Sequence, residues 1–132
     1  AVVGRELECA ILGNGDSNTK ASCIGEILTQ ADFYDYDAKY KSEDSKTVFP
    51  TDISEEKCDE IKENALKIFK GVSGKGLARI DFFLEEGTNN VFFNEVNTMP
   101  GFTSISMYAM LWKESGIEFS ELLDKLISLA LA

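Results

Sequence analysis

Four polar residues at two-residue spacing are the first feature of this sequence that could do chemistry. The run ARIDFFL holds Arg79 and Asp81, and the run NEVNTMPGFTSIS holds Glu95 and Asn97. In a β-strand the side chains of residues i and i+2 point to the same face of the sheet. If the turn EGTNN between the two runs pairs them as a hairpin, one guanidinium, two carboxylates and one amide converge on one face.

Such a cluster suits a divalent cation and a phosphate. Two carboxylates that are buried together need a compensating cation. Asp, Glu and Asn oxygens are ligands that Mg²⁺ accepts, usually with one or two carboxylates and substrate phosphates around the ion. The neighbouring Arg79 could stabilise a transferring phosphoryl group, whose charge is spread over its equatorial oxygens. The spacing alone leaves a second interpretation open, a surface hairpin with an Arg–carboxylate ion pair.

The segment TMPGFTSIS, which follows Asn97 directly, could bind an anion. It is a Pro-Gly turn that runs into a helix start rich in hydroxyls. Backbone N–H groups at a helix N-terminus bind anions, and Gly101 would let a ligand approach the main chain closely. An ordinary turn with a Ser or Thr cap explains the segment equally well when it is taken alone. Its position next to the candidate metal ligands favours the anion site.

The elements that must position these residues alternate between extended and helical patterns. Ser54 is a candidate helix cap, and Gly71 ends the apolar repeat that follows it. The order of patterns predicts an α+β fold, an antiparallel sheet with flanking helices. The predicted strands are Glu6–Leu12, Ser22–Leu28, Leu77–Glu85 and Val91–Val96, and the predicted helices begin after Ser54, at Ile105 and at Ser120, ending at Gly71, Ser115 and Leu131.

A long loop is predicted from Asp32 to Lys46. It contains FYDYDAKY, with four aromatic residues and neither a helical nor a strand period. A loop of this length inside a compact domain is usually functional, often a lid over a site. A surface excursion without a function is the alternative.

Composition excludes several classes of function. The 132 residues fit one domain or a large part of one. Thirteen basic and twenty-three acidic residues give a net charge of −10, which argues against nucleic acid or an anionic membrane as a partner. The chain has no histidine, and its three scattered cysteines predict reduced thiols in a cytoplasmic protein rather than a zinc site. The first residues, AVVGREL, read like the inside of a strand rather than a secretory signal.

At these residues the sequence resembles a known family. RIDFFL, NEVNTMPGFTSIS and FYDYDAKY are similar to signature segments of the D-alanine–D-alanine ligases, which belong to the ATP-grasp superfamily. The resemblance continues through GRELECAILGN, GLARID and GIEFSELLDKLI, so it covers essentially the whole chain. It implies ATP-dependent joining of two D-alanines through a D-alanyl phosphate, for peptidoglycan precursor synthesis in the cytoplasm.

The resemblance also implies roles for individual residues. Asp81, Glu95 and Asn97 match the ligands of two Mg²⁺ or Mn²⁺ ions. Arg79 and Gly101 match groups that stabilise the phosphoryl group and the oxyanion formed later. The remaining matches are Ser106 for the carboxylate of the second D-alanine, Glu6 for the ATP ribose, Lys39 for the γ-phosphate and Tyr40 for closure over the D-alanine subsites.

Two features qualify the resemblance. D-alanine–D-lactate ligases commonly supply a histidine where this sequence reads AKY, so the pattern favours dipeptide synthesis. Relatives usually carry proline where this sequence has Ala109. Alanine suits a helix interior better than proline does. A change in the start of that helix would alter how firmly Ser106 is held.

The resemblance further implies that residues 1–132 are a partial ATP-grasp domain. The family's N-terminal domain and the first half of the ATP-grasp are not in the sequence, so we expect the isolated chain to be inactive and its full-length parent to be a homodimer. Two alternatives remain. One is another ATP-grasp carboxylate–amine ligase, of the D-alanine–D-lactate or D-alanine–D-serine type, and the other is a non-catalytic interaction domain.

Overall fold

The computed structural model describes residues 1–28 and 47–132 of the chain. Five strands among these residues form one antiparallel sheet in the order β3-β2-β1-β4-β5, with helices on both of its faces. This confirms the predicted α+β class. The strands are β1 (Gly4–Gly13), β2 (Lys20–Ile27), β3 (Thr47–Val48), β4 (Gly76–Glu85) and β5 (Val91–Asn97), and the helices are α1 (Glu55–Gly71), α2 (Met107–Glu114) and α3 (Phe119–Leu131).

Strand β1 is the centre of the sheet and joins the hairpin it forms with β2 to the hairpin of β4 and β5. It pairs with β2 on one side and, over all ten of its residues, with β4 on the other. Its residues from Leu7 to Gly13 are all buried, because helices cover this part of the strand on both faces. The pairing of β1 with β4 brings together residues that lie about seventy positions apart, such as Glu8 and Asp81.

One face of the sheet is covered by α1 and is apolar; we call it the α1 face. Ser54 caps the helix, with its hydroxyl accepting a hydrogen bond from the Lys57 N–H at 3.2 Å. Three helical residues at i, i+4 and i+8 pack on the sheet, which is the spacing that aligns side chains along one stripe. The buried core of this face comprises Leu7, Cys9, Ile11, Ile24, Ile61, Ala65, Phe69, Ala78, Ile80, Phe82 and Leu84.

The opposite face, which we call the mixed face, is apolar in one half and polar in the other. In the apolar half, α2 and α3 cover the sheet with a core of Ala10, Leu12, Tyr108, Ala109, Leu111, Trp112 and Leu122. Helix α2 approaches β2 closely at Gly25, where a Cβ atom would lie 2.8 Å from Cδ2 of Leu111. A glycine there lets the helix pack against the backbone of the strand.

The observed bounds differ from the predicted ones by small amounts. Helix α2 begins at Met107 rather than Ile105, because residues before it form a turn closed by Ser106. Strand β2 begins two residues earlier than predicted and ends at Ile27. The predicted loop Asp32–Lys46 lies outside the described residues. In the part of the chain that is described, no helix combines the length and apolarity needed to cross a membrane.

Candidate functional site

The four residues singled out by their spacing meet on the mixed face. Across β4 and β5, Arg79 is paired with Asn97, and Asp81 with Glu95. The alternation along β4 puts Arg79 and Asp81 opposite to the core residue Ile80, which belongs to the α1 face. The structure therefore confirms the predicted pairing of these strands.

A β-bulge lies directly beside these four polar residues. The register shifts between Asp81 and Phe82, which pair with Glu95 and Phe93 and leave Asn94 as the extra residue on β5. As a result, Phe93 is paired with a residue of the α1 face, and the two phenyl rings meet edge to face with centroids 6.3 Å apart. Glu95 remains on the mixed face beside Asp81.

A third carboxylate, which the sequence analysis missed, belongs to the same row. Glu8 of β1 is paired with Asp81 of β4, which in turn is paired with Glu95 of β5. The three carboxylates thus occupy adjacent positions on three neighbouring strands. A signal was present in the sequence, since Glu6 and Glu8 alternate with the core residues of β1. Without the pairing of β1 and β4, however, that alternation does not connect Glu8 to the site.

Arg79 is the cation among these carboxylates. Its Nε and Nη2 groups donate hydrogen bonds to Oδ1 and Oδ2 of Asp81, both at 3.0 Å. Its Nε also lies 3.2 Å from Oε2 of Glu8, within ion-pair distance. The hydrogen bonds to Asp81 raise the pKa of Arg79, so the guanidinium stays charged.

Glu8 is the most deeply buried member of the row, with 1% of its surface exposed. Its Oε2 atom accepts no hydrogen bond from the described residues, because the single N–H of Arg79 Nε is directed to Asp81. Burial raises the pKa of Glu8 to about 7; the neighbouring Asp81 carboxylate adds to this shift and the Arg79 guanidinium opposes it. A buried carboxylate with an unsatisfied oxygen is costly, and a further cation nearby would reduce that cost.

The donor set of this row fits a divalent metal ion such as Mg²⁺. Asp81 and Glu95 of the row offer two carboxylates, the neighbouring Asn97 offers an amide, and the Arg79 guanidinium lies within ion-pair distance of Glu8 and Asp81. Among the described residues, no group of three or more Cys, Asp or Glu side chains is already spaced to hold a metal. An ion at this row would therefore use Asn97 and complete its shell with water and substrate oxygens, as Mg²⁺ commonly does.

The segment between β5 and α2 forms an exposed rim beside the row. Asn97 Oδ1 accepts a hydrogen bond from the Met99 N–H at 3.1 Å, which fixes the start of the segment. Ser106 Oγ closes its end, because it donates to the Thr103 carbonyl at 2.8 Å and accepts from the Thr103 N–H at 3.2 Å. Gly101 is exposed, and the space that a Cβ would occupy there is open. A ligand can therefore reach the backbone at this residue.

The remaining predicted site residues lie around the row or outside the described residues. Glu6 is exposed on the mixed face, two residues before Glu8 on β1. Lys39 and Tyr40 belong to residues 29–46, which are not described.

A salt-bridge cluster beside Glu6 ties β1 to its neighbours. Arg5 donates two hydrogen bonds to Glu26 of β2, at 2.8 and 2.6 Å, and two to Asp52 before α1, at 2.9 and 3.0 Å. The hydrogen bonds from Arg5 lower the pKa of Asp52. This cluster joins β1 to β2 and to the residues that precede α1.

Two solved structures with the same fold are ligases. The chain superposes on the D-alanine–D-alanine ligase of Coxiella burnetii with a TM-score of 0.79 and 41% sequence identity, covering 99% of this chain and 33% of that one. It superposes equally well, with a TM-score of 0.79 and 39% identity, on the VanG D-Ala:D-Ser ligase of Enterococcus faecalis, covering 98% of this chain and 37% of that one. The fold is thus that of the corresponding third of these ligase structures.

Comparison of the sequence with known families identifies the family of this chain. The model of the D-Ala D-Ala ligase C-terminus matches residues 1–128, and the chain therefore belongs to the D-alanine–D-alanine ligase family. A D-alanine–D-alanine ligase of Acetivibrio thermocellus is 55% identical over 127 residues, which are 96% of this chain and 33% of that protein. D-alanine–D-alanine ligase B of Clostridium tetani is 51% identical over 131 residues, 99% of this chain and 36% of that protein. The chain spans about a third of the length of these relatives.

Proposed function

We propose that this chain is the C-terminal, metal- and phosphate-binding part of a ligase that joins two D-alanines at the expense of ATP. The single observation that carries the proposal is the row of Glu8, Asp81 and Glu95 around Arg79 on the mixed face. An exposed surface ion pair would not need a third carboxylate that is almost fully buried. The family membership of the chain supports the same reaction.

In this reaction, the carboxylate of the first D-alanine takes the γ-phosphoryl group of ATP and becomes an acyl phosphate. The amine of the second D-alanine then attacks the acyl carbon, and phosphate leaves. We propose that Asp81, Glu95 and Asn97 hold two Mg²⁺ or Mn²⁺ ions, which would neutralise charge on the ATP phosphates. The three side chains are neighbours on β4 and β5, which supports this set.

Arg79 and Gly101 are proposed to act on the reacting groups. Arg79 makes two of its five possible N–H donations to Asp81, and it would direct others to the transferred phosphoryl group. The N–H of Gly101 would donate to the oxyanion of the tetrahedral intermediate, which the open space at this residue supports. Both groups would stabilise charge that grows in the transition state.

The substrates are proposed to bind around this centre. Ser106, at the start of α2, would hold the carboxylate of the second D-alanine together with the helix N-terminus. Glu6 would accept hydrogen bonds from the ribose hydroxyls of ATP, and its exposure on the mixed face supports this role. Lys39 and Tyr40 would contact the γ-phosphate and cover the D-alanine subsites.

The complete protein is proposed to be a homodimer in the cytoplasm that supplies the dipeptide for peptidoglycan. We also propose that the isolated chain does not catalyse the ligation, because it spans only about a third of the length of its relatives. The second candidate acceptor is D-serine, because the VanG D-Ala:D-Ser ligase shares the fold at 39% identity. The higher identity to D-alanine–D-alanine ligases, 55% and 51% in two relatives, favours D-alanine.

The test is product analysis by mass spectrometry with the full-length protein that contains this chain. It is incubated with MgATP and D-alanine, and in parallel with D-alanine plus an excess of D-serine or D-lactate. We expect D-alanyl-D-alanine as the main product in all three reactions, and none with L-alanine alone. A main product that contains D-serine or D-lactate would replace the proposed acceptor, and the absence of any ATP-dependent product would refute the ligase activity.

A further inference from the structure

Arg79 lies between two carboxylates but is hydrogen-bonded to only one of them. Both oxygens of Asp81 accept hydrogen bonds from its guanidinium at 3.0 Å. Oε2 of Glu8 lies 3.2 Å from Nε, yet it accepts no hydrogen bond from the described residues. The arrangement therefore has one satisfied carboxylate, and one buried carboxylate oxygen that has no hydrogen-bond donor among the described residues.

This arrangement weakens cation binding by Asp81. Each of its oxygens keeps a second lone pair for an ion, but the guanidinium charge would lie close to that ion and repel it. Asp81 would therefore bind Mg²⁺ more tightly if Arg79 released at least one of its two hydrogen bonds. A guanidinium that leaves Asp81 needs another acceptor, since it is only partly exposed.

Glu8 is placed to be that acceptor. Among the described residues it is the other carboxylate within ion-pair distance of Arg79. It is also the β1 neighbour of Asp81, whereas the β1 neighbour of Arg79 is Ala10, which has no polar side-chain atom. A small rotation of the guanidinium towards β1 would direct an N–H group to Oε2 and leave the Asp81 oxygens accessible.

We propose that Glu8 is a positioning residue. Its carboxylate accepts a hydrogen bond from the Arg79 guanidinium when Asp81 binds the metal ion. The exchange keeps Arg79 on the mixed face, where it remains available to the phosphoryl group. It also satisfies the buried Oε2 atom of Glu8 in the metal-bound state. This inference rests on the proposed metal site at Asp81, Glu95 and Asn97.

The test measures metal–nucleotide binding rather than turnover. The full-length protein is titrated by isothermal calorimetry with the Mn²⁺ complex of a non-hydrolysable ATP analogue, with the metal-free analogue as the reference. We expect Glu8→Gln to weaken binding of the Mn²⁺ complex about tenfold, because Gln keeps the shape but attracts the guanidinium less strongly. Glu63→Gln, at an exposed position on α1, is the matched control for the loss of one negative charge and should bind like the wild type.

A double-mutant cycle separates positioning from simple charge. If Glu8 acts through Arg79, the effect of Glu8→Gln should shrink to less than about twofold in an Arg79→Gln background. Glu8→Asp, whose carboxylate is one methylene further from Arg79, should weaken binding by an intermediate factor. A full tenfold effect in both backgrounds, or wild-type binding by Glu8→Gln, would overturn the exchange but leave the metal site intact. If Mn²⁺ did not improve binding of the analogue to the wild-type protein, the metal site and the exchange would both be overturned.

Discussion

The two faces of the sheet are built from the same strands but carry different kinds of side chains. On the α1 face, the core cluster is apolar and packs under a single helix, and the buried Glu26 outside this cluster is paired with Arg5. On the mixed face, apolar residues lie under α2 and α3, while the next positions along β1 and β4 carry Glu8, Arg79 and Asp81. The strand periodicity of two makes this division possible, since neighbouring residues belong to opposite faces.

The difference shows which face stabilises the domain and which face lowers its stability by burying charged groups. Burying a carboxylate such as Glu8 is unfavourable unless a cation compensates, whereas burying aliphatic and aromatic side chains is favourable. The core cluster of the α1 face supplies the second kind of burial. A substitution on the α1 face should therefore change stability, and one in the polar row should change chemistry.

The largest expected loss of stability follows from Phe69→Ala in α1. Phe69 is fully buried on the α1 face, so its removal leaves a cavity and should lower the unfolding free energy by about 3–5 kcal/mol. Urea denaturation of the full-length ligase measures this change. Phe92→Ala, at an exposed position on β5, is the matched control and should cost less than about 1 kcal/mol. Equal losses in the two variants would contradict the assigned role of the α1 face.

A smaller loss is expected from Gly25→Ala on the apolar half of the mixed face. The new Cβ would lie 2.8 Å from Leu111 Cδ2 and 3.5 Å from Met107 Sδ, so either the Leu111 side chain or α2 must move. Overpacking of this kind should lower the unfolding free energy by about 1–3 kcal/mol. Gly71→Ala meets no neighbouring atom within 4 Å and serves as the control. Unchanged stability of Gly25→Ala would show that α2 does not depend on this close approach.

Ser106→Ala tests the rim of the polar row. It removes a hydroxyl that closes the turn at Thr103 and that we propose to contact the second D-alanine. We expect the KM for the second D-alanine to rise about tenfold with little change in kcat, as for the loss of one hydrogen bond to a charged group. Steady-state kinetics checks this, with Ser104→Ala as the control. An unchanged KM would count against the proposed carboxylate contact.

The smallest expected effect concerns pH and the Arg5–Asp52 ion pair. Asp52 has a lowered pKa in the folded state, so its contribution is present above the unfolded pKa of about 3.9 and is lost as the pH falls through the folded value. Because the Asp52 side chain is 69% exposed, Asp52→Asn should cost less than about 1 kcal/mol at neutral pH.

Urea denaturation at about pH 7 and about pH 3 measures this difference. It should shrink at the lower pH, because Asp52 of the unfolded wild type is then protonated and the contribution of the ion pair is partly lost. Asp124→Asn, at an exposed position of α3, is the control. A difference that grows on acidification would contradict the sign of the effect.

The local pattern was sufficient to predict most elements of the fold. The strand patterns in Leu77–Glu85 and Val91–Val96 predicted β4 and β5, and with them that Asp81 and Glu95 share one face if the strands form a hairpin. The cap Ser54 and the helical repeat after it predicted α1. These signals are local, because they depend on residues that are close in sequence.

What could not be predicted depends on contacts between distant segments. The pairing of β1 with β4 determines that Glu8 joins the site, and no short-range pattern specifies which strands become neighbours. The bulge at Asn94 is a second example, since the letters FFNEV allow an unbroken alternation. The roles of the site residues were predicted from the family resemblance, and they stay predictions.

The most direct test of the division between the faces is phosphate release from MgATP by the Asp81→Asn variant of the full-length ligase, in the presence of D-alanine. The account predicts that release falls at least about 1000-fold, the equivalent of about 4 kcal/mol of transition-state stabilisation. The unfolding free energy of the same preparation should stay within about 1 kcal/mol of the wild-type value, and Asp124→Asn should release phosphate at the wild-type rate. Near-normal release by Asp81→Asn would contradict the assignment of the chemistry to the mixed face.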